Sequence, residues 1–417
     1  MAVLVTGGAG YIGSHTVLAL LEAGERVFVL DDLSSGERSA VPIKAQFIHG
    51  DAGDLETVQK LLGTFAIDAV IHVAGSGSVE ESVWNPLKYY RNNTAVTRTV
   101  LEACIGAGVK HFVFSSTAAV YGNSGIQCRE DAALSPVSPY GKSKLMAEAM
   151  LRDTAGAHSV RCAALRCFNA VGAGPAGRGP GNLLKVACEA AVGKRLYVPV
   201  FGTDYDTPDG TCVRDYIHVS DLADIHRLAL QRLRREGGSF AVNCGYGRGH
   251  SVLEVIEAVR KQSGVDLAVK PHPRRAGDVG MSVADCSMLS GELGWHPSRD
   301  NLAEIVSRSL EWERKSGRRP TRPFTKPEMV RSAQAAGLAM DLTPREHQVM
   351  QQLSKGLQNR IIAANLGVSE HTVKIHLQKI IRKLGATNRT GAAAIYIERL
   401  PDAFNRRNGE PPAFRSH

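Results

Sequence analysis

A tyrosine and a lysine four residues apart have the types and spacing that proton transfer requires. Tyr140 and Lys144 lie in the segment Ser-Pro-Tyr-Gly-Lys-Ser-Lys, and this spacing places both side chains on one face of a helix. A phenol with a pKa of about 10 is a poor base at neutral pH, but a neighbouring ammonium group lowers that pKa. Thr117 follows an apolar run and could orient a hydroxyl group toward the phenol. The three residues predict a site that removes a proton from a substrate hydroxyl.

A glycine-rich segment near the start of the chain predicts a dinucleotide site. Its glycines are Gly7, Gly10 and Gly13. They follow a short apolar run and open a helical pattern, which suits a tight turn against a pyrophosphate, and Tyr11 and Ile12 would present the helix N-terminus to it. Asp31 ends the second apolar run, 18 residues after Gly13. A carboxylate there accepts ribose hydroxyls and repels a 2′-phosphate, which favours NAD over NADP.

The segments that would position these residues alternate between strand and helix patterns. In residues 1–170, short apolar runs are separated by amphipathic stretches such as Lys88–Ala107 and Ser143–Thr154. This alternation predicts an α/β fold with a doubly wound parallel sheet of the Rossmann type. Residues 170–319 are less regular and contain Gly- and Pro-rich loops. We expect them to form a smaller substrate-binding lobe that returns in part to the sheet.

Composition is that of a globular protein, with 43% hydrophobic and 22% charged residues. No apolar run reaches the roughly 18 residues that a membrane span needs. The N-terminus lacks the basic and apolar regions of a signal peptide, so a cytoplasmic location is expected. The eight cysteines form no CxxC pair, so neither a metal site nor a disulfide framework is expected.

Almost all of the net positive charge lies in the last quarter of the chain. Residues 320–417 hold 15 of the 50 Lys and Arg residues and 7 of the 41 Asp and Glu residues, which leaves 35 against 34 in residues 1–319. This asymmetry suggests a unit that binds nucleic acid, although a solvated basic tail has the same composition. Residues 320–336 are predicted to form a linker, and residues 401–417 a flexible tail.

Residues 337–400 predict an all-α helix-turn-helix domain. Thr343 and Pro344 are typical of a helix start, and Gly367 lies between two helical patterns. In Glu370–Leu384, apolar residues form one face, which leaves a polar and basic face for the major groove of DNA. The residues expected to contact DNA are His371, Thr372, Lys374, Gln378, Lys379 and Arg382. A helical bundle with solvated charges is the alternative.

Residues 1–319 resemble bacterial UDP-glucose 4-epimerases of the extended short-chain dehydrogenase/reductase type nearly end to end. The matching blocks include Ser-Pro-Tyr-Gly-Lys-Ser-Lys144, Arg166-Cys-Phe-Asn169 and the long block from Phe201 to His218. The resemblance implies a homodimer that interconverts UDP-glucose and UDP-galactose with tightly held NAD. It implies that Tyr140 takes the proton of the sugar 4-hydroxyl while a hydride passes from C4 to the cofactor.

The resemblance also assigns residues to the two ligands. For the cofactor it implies that Asp51 meets the adenine, and that Ala74, Asn92 and Lys144 lie beside the cofactor. For the UDP-sugar it implies contacts from Asn169, Asn182, Arg214, Arg275, Asp278 and Ser282. The two arginines would pair with the diphosphate. Ser282 stands where glucose-restricted members carry a pocket-closing tyrosine, so turnover of UDP-GlcNAc is also expected.

Several positions depart from the patterns of related enzymes. Sugar-nucleotide dehydratases carry an Asp-Glu pair where this chain has Ala118 and Ala119, which disfavours a dehydratase. Gly77 stands in place of a lysine near the cofactor, and Cys167 in place of a tyrosine. Lys185 replaces a proline, and the loop between residues 171 and 182 is several residues shorter than in typical members. These changes could loosen cofactor retention or reshape the sugar pocket.

Leu342–Arg399 resembles the LuxR-type helix-turn-helix of bacterial regulators, including Thr-Val-Lys-x-His and Lys-Leu-Gly-Ala-x-Asn-Arg. Two functions therefore stay open: an active epimerase with a DNA-binding unit, and a transcription regulator whose epimerase-like part senses NAD or a UDP-sugar without turnover. Tyr140 and Lys144 favour the first function, since a sensor does not need a proton-transfer pair. A fusion without a regulatory role is a third possibility.

Overall fold

A computed structural model describes residues 1–123, 127–172, 182–315, 342, 344–354, 357, 359–384, 386 and 389–398. The chain divides into two compact units, residues 1–323 and 324–417. The predicted linker (320–336) and tail (401–417) lie outside the described residues, as does most of the shortened loop between residues 171 and 182.

The described strands all belong to the larger unit. They are β1 (Ala2–Thr6), β2 (Arg26–Asp31), β3 (Gln46–His49), β4 (Ala69–His72), β5 (His111–Thr117), β6 (Arg161–Cys167), β7 (Asn169–Val171), β8 (Val198–Phe201), β9 (Val213–His218), β10 (Phe240–Cys244), β11 (Gly249–Ser251), β12 (Val269–His272) and β13 (Met281–Ser282). Its described α-helices are α1 (Tyr11–Glu22), α2 (Leu55–Thr64), α3 (Val79–Trp84), α4 (Pro86–Tyr89), α5 (Val96–Gly106), α6 (Pro139–Ala157), α7 (Leu183–Ala191), α8 (Val219–Arg235), α9 (Val252–Ser263), α10 (Ser287–Leu293) and α11 (Leu302–Lys315).

A seven-stranded parallel sheet in the order β10-β6-β5-β4-β1-β2-β3 forms the centre of this unit. After β3 the chain crosses to β4 on the far side of β1, so the carboxyl ends of β1 and β4 form a topological switch point. Ligands bind at such points in open α/β sheets. The order confirms the predicted doubly wound fold, and β10 is the predicted return from the lobe to the sheet.

Both faces of the sheet are buried, because successive residues of a strand point to opposite sides. On one face, Val3 and Val5 of β1 pack with residues of α1 and α8. On the other face, Leu4 packs with residues of α2, α5 and α6. Burial on both faces explains why these strands are continuous apolar runs rather than alternating patterns.

Residues 88–106 are helical, as predicted for Lys88–Ala107, but they do not form one regular α-helix. Between α4 and α5 the structure has a six-residue π-helical turn, Tyr90–Ala95. A π-helical turn widens the backbone hydrogen-bond ring by one residue and is frequent at functional sites. It shifts the phase of the side chains relative to a regular α-helix.

The substrate-side lobe is built from the remaining strands and helices. β7, β11 and β13 all pair with β9, while β8 and β12 form a separate parallel pair. Helices α7, α9 and α11 pack around a common core that includes Leu184, Val255 and Val306. This core holds the ends of β7 and β9 beside the last strands of the main sheet.

The described part of the smaller unit is helical. Its helices are α12 (Pro344–Leu353), α13 (Asn359–Leu366), α14 (Glu370–Leu384) and α15 (Arg389–Glu398). Their core includes Val349, Ile362, Val373, Leu377 and Tyr396. Gly367, with a φ of 64°, allows the turn between α13 and α14.

Candidate active site and helix-turn-helix

The glycine loop after β1 packs too closely against its surroundings to accept side chains at Gly7 and Gly13. Gly7 has a φ of 71°, and a Cβ there would lie 2.6 Å from the backbone nitrogen of Ala74 in the loop after β4. A Cβ at Gly13 would collide with the carbonyl of Gly7. Gly10 is the N-cap of α1 and has no side chain that could accept hydrogen bonds from the first turn. The first N–H groups of the helix therefore stay available to a ligand. This geometry fits the phosphates of NAD.

Asp31 ends β2 and is 7% exposed. Its carboxylate accepts hydrogen bonds from the backbone nitrogens of Ala9 and Leu33, both at 2.9 Å. Each oxygen keeps a further lone pair, and a fixed carboxylate beside the glycine loop suits the two ribose hydroxyls. Asp51 is exposed and accepts a hydrogen bond from the nitrogen of Gly53 at 2.7 Å; its predicted contact with the adenine stays a prediction.

The π-helical turn places two asparagines against the loop that begins at Ala74. Asn92 was the predicted one, and its Nδ2 donates to the hydroxyl of Ser76 at 3.1 Å. Asn93, which the sequence analysis missed, is 1% exposed. Its Oδ1 accepts from the nitrogen of Ser76, and its Nδ2 donates to the carbonyl of Ser76 and the hydroxyl of Ser143. Asn93 therefore joins this loop to helix α6.

Tyr140 and Lys144 lie on α6, facing the end of β5. Ser138 accepts a hydrogen bond from the nitrogen of Gly141 and caps the helix, with Pro139 as its first residue. The Nζ of buried Lys144 donates to the carbonyl of Ser115 at 2.8 Å. Thr117, predicted to follow the strand, is its last residue. Helix and strand thus bring the three residues together at the carboxyl edge of the sheet.

Burial has the largest effect on the pKa values of Tyr140 and Lys144. Burial raises the pKa of the partly buried Tyr140 to about 12, and a hydrogen bond from Thr117 opposes that rise. Burial lowers the pKa of Lys144 to about 8. At neutral pH the phenol is therefore protonated, while most of Lys144 still carries its positive charge. A positive charge placed beside the phenol, such as an oxidised nicotinamide, favours the phenolate and makes Tyr140 a better base.

The predicted sugar-nucleotide residues surround the lobe strand β9. Asn169 is exposed at the start of β7, and Asn182 caps α7 by accepting from the nitrogen of Lys185 at 2.8 Å. Ser282 pairs in register with Arg214. The guanidinium of Arg214 donates to the carbonyls of residues 213, 279 and 280. Arg275 donates to Asp278 at 2.9 Å. Their predicted ligand contacts stay predictions.

Helix α14 carries three of the predicted DNA-contact residues, Lys374, Gln378 and Lys379, on its solvent side. Ser369 caps the helix by accepting from the nitrogen of Thr372 at 3.0 Å. Lys374, Gln378 and Lys379 are exposed, and Lys374 lies 3.6 Å from Glu370. The side chains of His371 and Arg382 lie outside the described residues. The opposite face is buried, so α14 has the amphipathic form of a recognition helix.

Known proteins match both units. Residues 3–245 match the NAD dependent epimerase/dehydratase family, and residues 340–396 match the bacterial regulatory proteins of the luxR family. The UDP-glucose 4-epimerase of Azospirillum brasilense is 52% identical over 319 residues, which are 75% of this chain and 92% of that protein. The chain belongs to the UDP-glucose 4-epimerase family.

Solved structures agree with this membership. The UDP-glucose 4-epimerase of Bifidobacterium longum, solved with NAD+ and UDP, is 38% identical with a TM-score of 0.71, and the match covers 76% of this chain and 99% of that one. The UDP-Glc/GlcNAc 4-epimerase of Campylobacter jejuni is 43% identical with a TM-score of 0.67, over 75% of this chain and 99% of that one. This chain is thus an NAD-dependent epimerase that carries a LuxR-type DNA-binding domain.

A buried ion pair in the epimerase unit was also missed. Glu148, one helical turn after Lys144, accepts from the hydroxyl of Ser116 at 2.5 Å and from Nε and Nη2 of Arg166. Arg166 also donates to the hydroxyl of Tyr121 at 2.8 Å. The network joins α6 to β5 and β6. It contacts α6 one turn after Lys144 and contacts β5 at the residue before Thr117. Arg166 lies in a matched sequence block, but its partner could not be chosen from the sequence.

Cys167 brings a thiol to the edge of the proton-transfer site. In the sheet it lies in register with Thr117 on one side and with Cys244 on the other. Its Sγ is 3.6 Å from the hydroxyl of Ser115. A hydrogen bond from Cys244 and the ammonium of Lys144 hold the pKa of the Cys167 thiol below its usual range. The departure from the family pattern at position 167 therefore places a titratable thiol near the ammonium of Lys144.

Among the described residues, no three His, Cys, Asp or Glu side chains are grouped so that they could hold a metal ion. None of the described helices combines the length and apolar character needed to cross a membrane.

Proposed function

We propose that residues 1–319 interconvert UDP-glucose and UDP-galactose by transient oxidation at the sugar C4, and that the helix-turn-helix binds DNA. The observation that carries the first part is the position of Tyr140, Thr117 and Lys144 at the end of β5, on the same carboxyl edge of the sheet as Asp31. Proton-transfer groups and a cofactor cradle at one sheet edge suit chemistry on a hydroxyl-bearing carbon. The family relatives support the substrate class.

In this mechanism Thr117 orients the sugar 4-hydroxyl, and Tyr140 takes its proton. The glycine loop after β1 and Asp31 would hold NAD, which would supply the hydride chemistry at C4 when bound. Lys144, which a hydrogen bond to the Ser115 carbonyl holds on the same helix as Tyr140, would supply a positive charge that stabilises the phenolate during proton removal. Tyr140 then gives the proton back to the C4 oxygen, so no net oxidation remains.

The experiment is epimerisation of UDP-galactose by the purified full chain without added NAD. We expect turnover by the native protein and loss of roughly two to four orders of magnitude in Tyr140→Phe, which is the usual weight of a positioned proton-transfer group. If the folded native protein is inactive even with added NAD, the function becomes that of a regulator that senses NAD or a UDP-sugar without turnover.

The epimerase is also proposed to accept N-acetylated UDP-sugars. Ser282 is short and lies beside the backbone of Arg214 in the substrate lobe. A short side chain leaves space that a tyrosine would fill, and an N-acetyl group needs such space. The Campylobacter jejuni relative, whose name includes both sugars, supports this part of the proposal.

A homodimer is proposed as the assembly. Trp84 and Leu87 are 79% and 77% exposed on helices α3 and α4, and Met146 is 48% exposed on α6, with which both helices pack. Exposed apolar groups on neighbouring helices are typical of a protein interface. Light scattering on the native chain and on Trp84→Glu/Leu87→Glu tests this: a native monomer, or a dimer that the double variant leaves intact, contradicts an interface there.

DNA binding is supported by the exposed Lys374, Gln378 and Lys379 on α14 and by the membership in the luxR family. Fluorescence anisotropy with a labelled duplex of random sequence is the direct test, since basic residues on a recognition helix also give salt-dependent non-specific binding. Repeating the titration with UDP-galactose present distinguishes an epimerase fused to an independent DNA-binding unit from one whose ligand state alters DNA binding.

A further inference from the structure

The buried aromatic ring of Tyr89 packs against the ring of the proton-transfer residue Tyr140. Their centroids lie 6.2 Å apart and the ring planes meet at 79°, which is an edge-to-face contact. Tyr89 is the last residue of α4 and is fully buried. Aromatic rings favour this geometry, because the positive edge of one ring meets the negative face of the other. The contact therefore restricts how the ring of Tyr140 can tilt.

The hydroxyl of Tyr89 is held by two hydrogen bonds to α3 and its N-cap. It donates to Oε2 of Glu81 at 3.0 Å and accepts from the nitrogen of Ser78 at 3.2 Å. Ser78 in turn caps α3 by accepting from the nitrogen of Glu81 at 3.1 Å. Lys88 pairs with the other carboxylate oxygen of Glu81 at 2.5 Å. These contacts fix the hydroxyl end of the Tyr89 side chain, so its ring is a tethered support for Tyr140.

Two contacts orient the side chain of Tyr140. It is the second residue of α6, against which α3 and α4 both pack. Its phenol oxygen shares a hydrogen bond with Thr117, and its ring meets the ring of Tyr89. A group that removes a proton must lie within hydrogen-bond reach of the hydroxyl it acts on, and a small misplacement lowers the rate. The ring contact thus fixes a side chain whose position limits the chemistry.

Tyr89 does not itself compete with Tyr140 as a base. Burial raises the pKa of the Tyr89 phenol, and its hydrogen bond to the Glu81 carboxylate raises that pKa further. The hydrogen bond from Lys88 lowers the pKa of Glu81, so this carboxylate stays charged at neutral pH and keeps accepting from Tyr89. Tyr89 is thus a neutral phenol, and its effect on Tyr140 comes through the ring contact.

We propose that Tyr89 is a positioning residue for the epimerase reaction, whose tethered ring holds the phenol of Tyr140 at the angle that proton transfer needs. The inference rests on the proposed function of residues 1–319 and adds a residue that acts through Tyr140 rather than on the substrate. Such a support contributes to the transition state and not to binding of the UDP-sugar. Its loss therefore lowers kcat and leaves KM unchanged.

The test compares Tyr89→Leu with Tyr89→Phe in the NAD-loaded full chain, with UDP-galactose as substrate. Leucine removes the ring, and we expect kcat to fall about tenfold with native KM and native NAD content, as the loss of one aromatic pair contact predicts. Phenylalanine keeps the ring and loses only the tether, so kcat should fall by no more than about threefold. The pH dependence of kcat should keep its shape in both variants, because Tyr89 carries no charge.

Two further variants make the test specific. Phe65 precedes β4 at the amino end of the strands and stacks on Phe28 with centroids 4.4 Å apart, so Phe65→Leu also removes an aromatic pair from the epimerase unit but should keep native kcat. Glu81→Ala, at a partly exposed side chain, releases the tether and leaves the ring in place. It should match Tyr89→Phe, and the double variant should be no slower, because both changes remove the same hydrogen bond.

Four results overturn the proposal. They are native kcat in folded Tyr89→Leu, an equal fall of kcat in Phe65→Leu, a raised KM with unchanged kcat, and a shifted pH profile, which would show an electrostatic effect instead. If Tyr89→Leu does not fold, native kcat in both Tyr89→Phe and Glu81→Ala overturns the tethered support. A native chain without turnover removes the proposed function together with this inference, whereas an active native chain with unaffected Tyr89 variants removes this inference alone.

Discussion

Arg166 and Glu148 form a doubly hydrogen-bonded ion pair whose side chains are 4% and 3% exposed. The pair connects β6 to α6 one turn beyond Lys144. Since Ser116 donates to the same carboxylate, the residue before Thr117 is fixed to the helix that carries Tyr140. The relative placement of the proton-transfer residues thus depends on a charge that is buried away from solvent.

Glu148→Ala is expected to destabilise the epimerase unit strongly. Removal of one partner leaves the Arg166 guanidinium buried and unpaired, which typically costs about 3–5 kcal/mol. The three tryptophans, Trp84, Trp295 and Trp312, all lie in residues 1–323, so urea unfolding followed by tryptophan fluorescence reports on this unit. The matched control is Glu304→Ala, which removes an exposed pair with Arg308 and should change stability by under about 1 kcal/mol. Equal effects of the two variants would refute a structural role for the buried pair.

The phenol of Tyr140 is expected to stay protonated in the cofactor-free protein up to pH 10 and above. Burial raises its pKa to about 12, and bound NAD+ should lower it because a nearby cation favours the phenolate. Difference absorbance at 295 nm between the native chain and Tyr140→Phe isolates this one of the ten tyrosines. Circular dichroism at each pH checks folding. A phenolate signal below pH 9 without cofactor would contradict the role given to burial.

Acid should weaken the epimerase unit through His72. The Nδ1 of this fully buried imidazole accepts a hydrogen bond from the hydroxyl of Thr6. Its Nε2 donates to the hydroxyl oxygen of Thr97, because the proton of that hydroxyl is donated to the carbonyl of Asn93. Burial lowers its pKa from 6.5 to about 3. The unfolded chain binds a proton below 6.5 and the folded chain does not, so the free energy of unfolding falls as pH decreases from 6.5 toward 3, by up to about 4 kcal/mol.

Urea midpoints of the native chain and of His72→Asn between pH 7 and pH 4 check this expectation. The asparagine can keep one hydrogen bond but does not titrate, so its stability should depend less on pH. His158→Asn, at an exposed position after α6, is the control and should follow the native curve. Parallel curves for all three proteins would show that His72 does not carry the acid sensitivity.

Much of the cofactor site could be predicted because its determinants are local in sequence. Gly7, Gly13 and Asp31 lie at strand ends whose apolar runs are easily recognised, and parallel strands bring those ends to one edge. The spacing of Tyr140 and Lys144 needs only one helix.

What could not be predicted depends on contacts between distant segments. The burial of Asn93 could not be predicted, because a π-helical turn shifts the phase of a stretch whose apolar pattern predicts a regular helix. The partners Glu148 and Arg166 come from a helix and a strand, and many other charged residues are compatible with either. Cys244 meets Cys167 only because β10 returns to the sheet after the lobe.

In the helix-turn-helix, Lys379→Ala is expected to weaken DNA binding. The exposed ammonium on α14 would contact a phosphate, and loss of one such contact lowers the slope of log K against log salt by about one unit. Anisotropy titrations of a random-sequence duplex at several salt concentrations measure that slope. Lys315→Ala on α11, which removes an equally exposed charge from the epimerase unit, serves as the control. The same slope in all three proteins would exclude Lys379 from the interface.

Ser282→Tyr is expected to separate the two classes of UDP-sugar. Ser282 is 9% exposed and lies in register with Arg214, so a tyrosine there would extend into the substrate lobe and occupy the space for an N-acetyl group. We expect kcat/KM for UDP-GlcNAc to fall by at least about tenfold while that for UDP-galactose changes little, as steric exclusion from a pocket predicts. Ser282→Ala, which removes the hydroxyl but adds no volume, should retain both activities. If the native enzyme at high concentration leaves UDP-GlcNAc unchanged, or if the tyrosine variant loses both sugars equally, side-chain size at this position does not set the specificity.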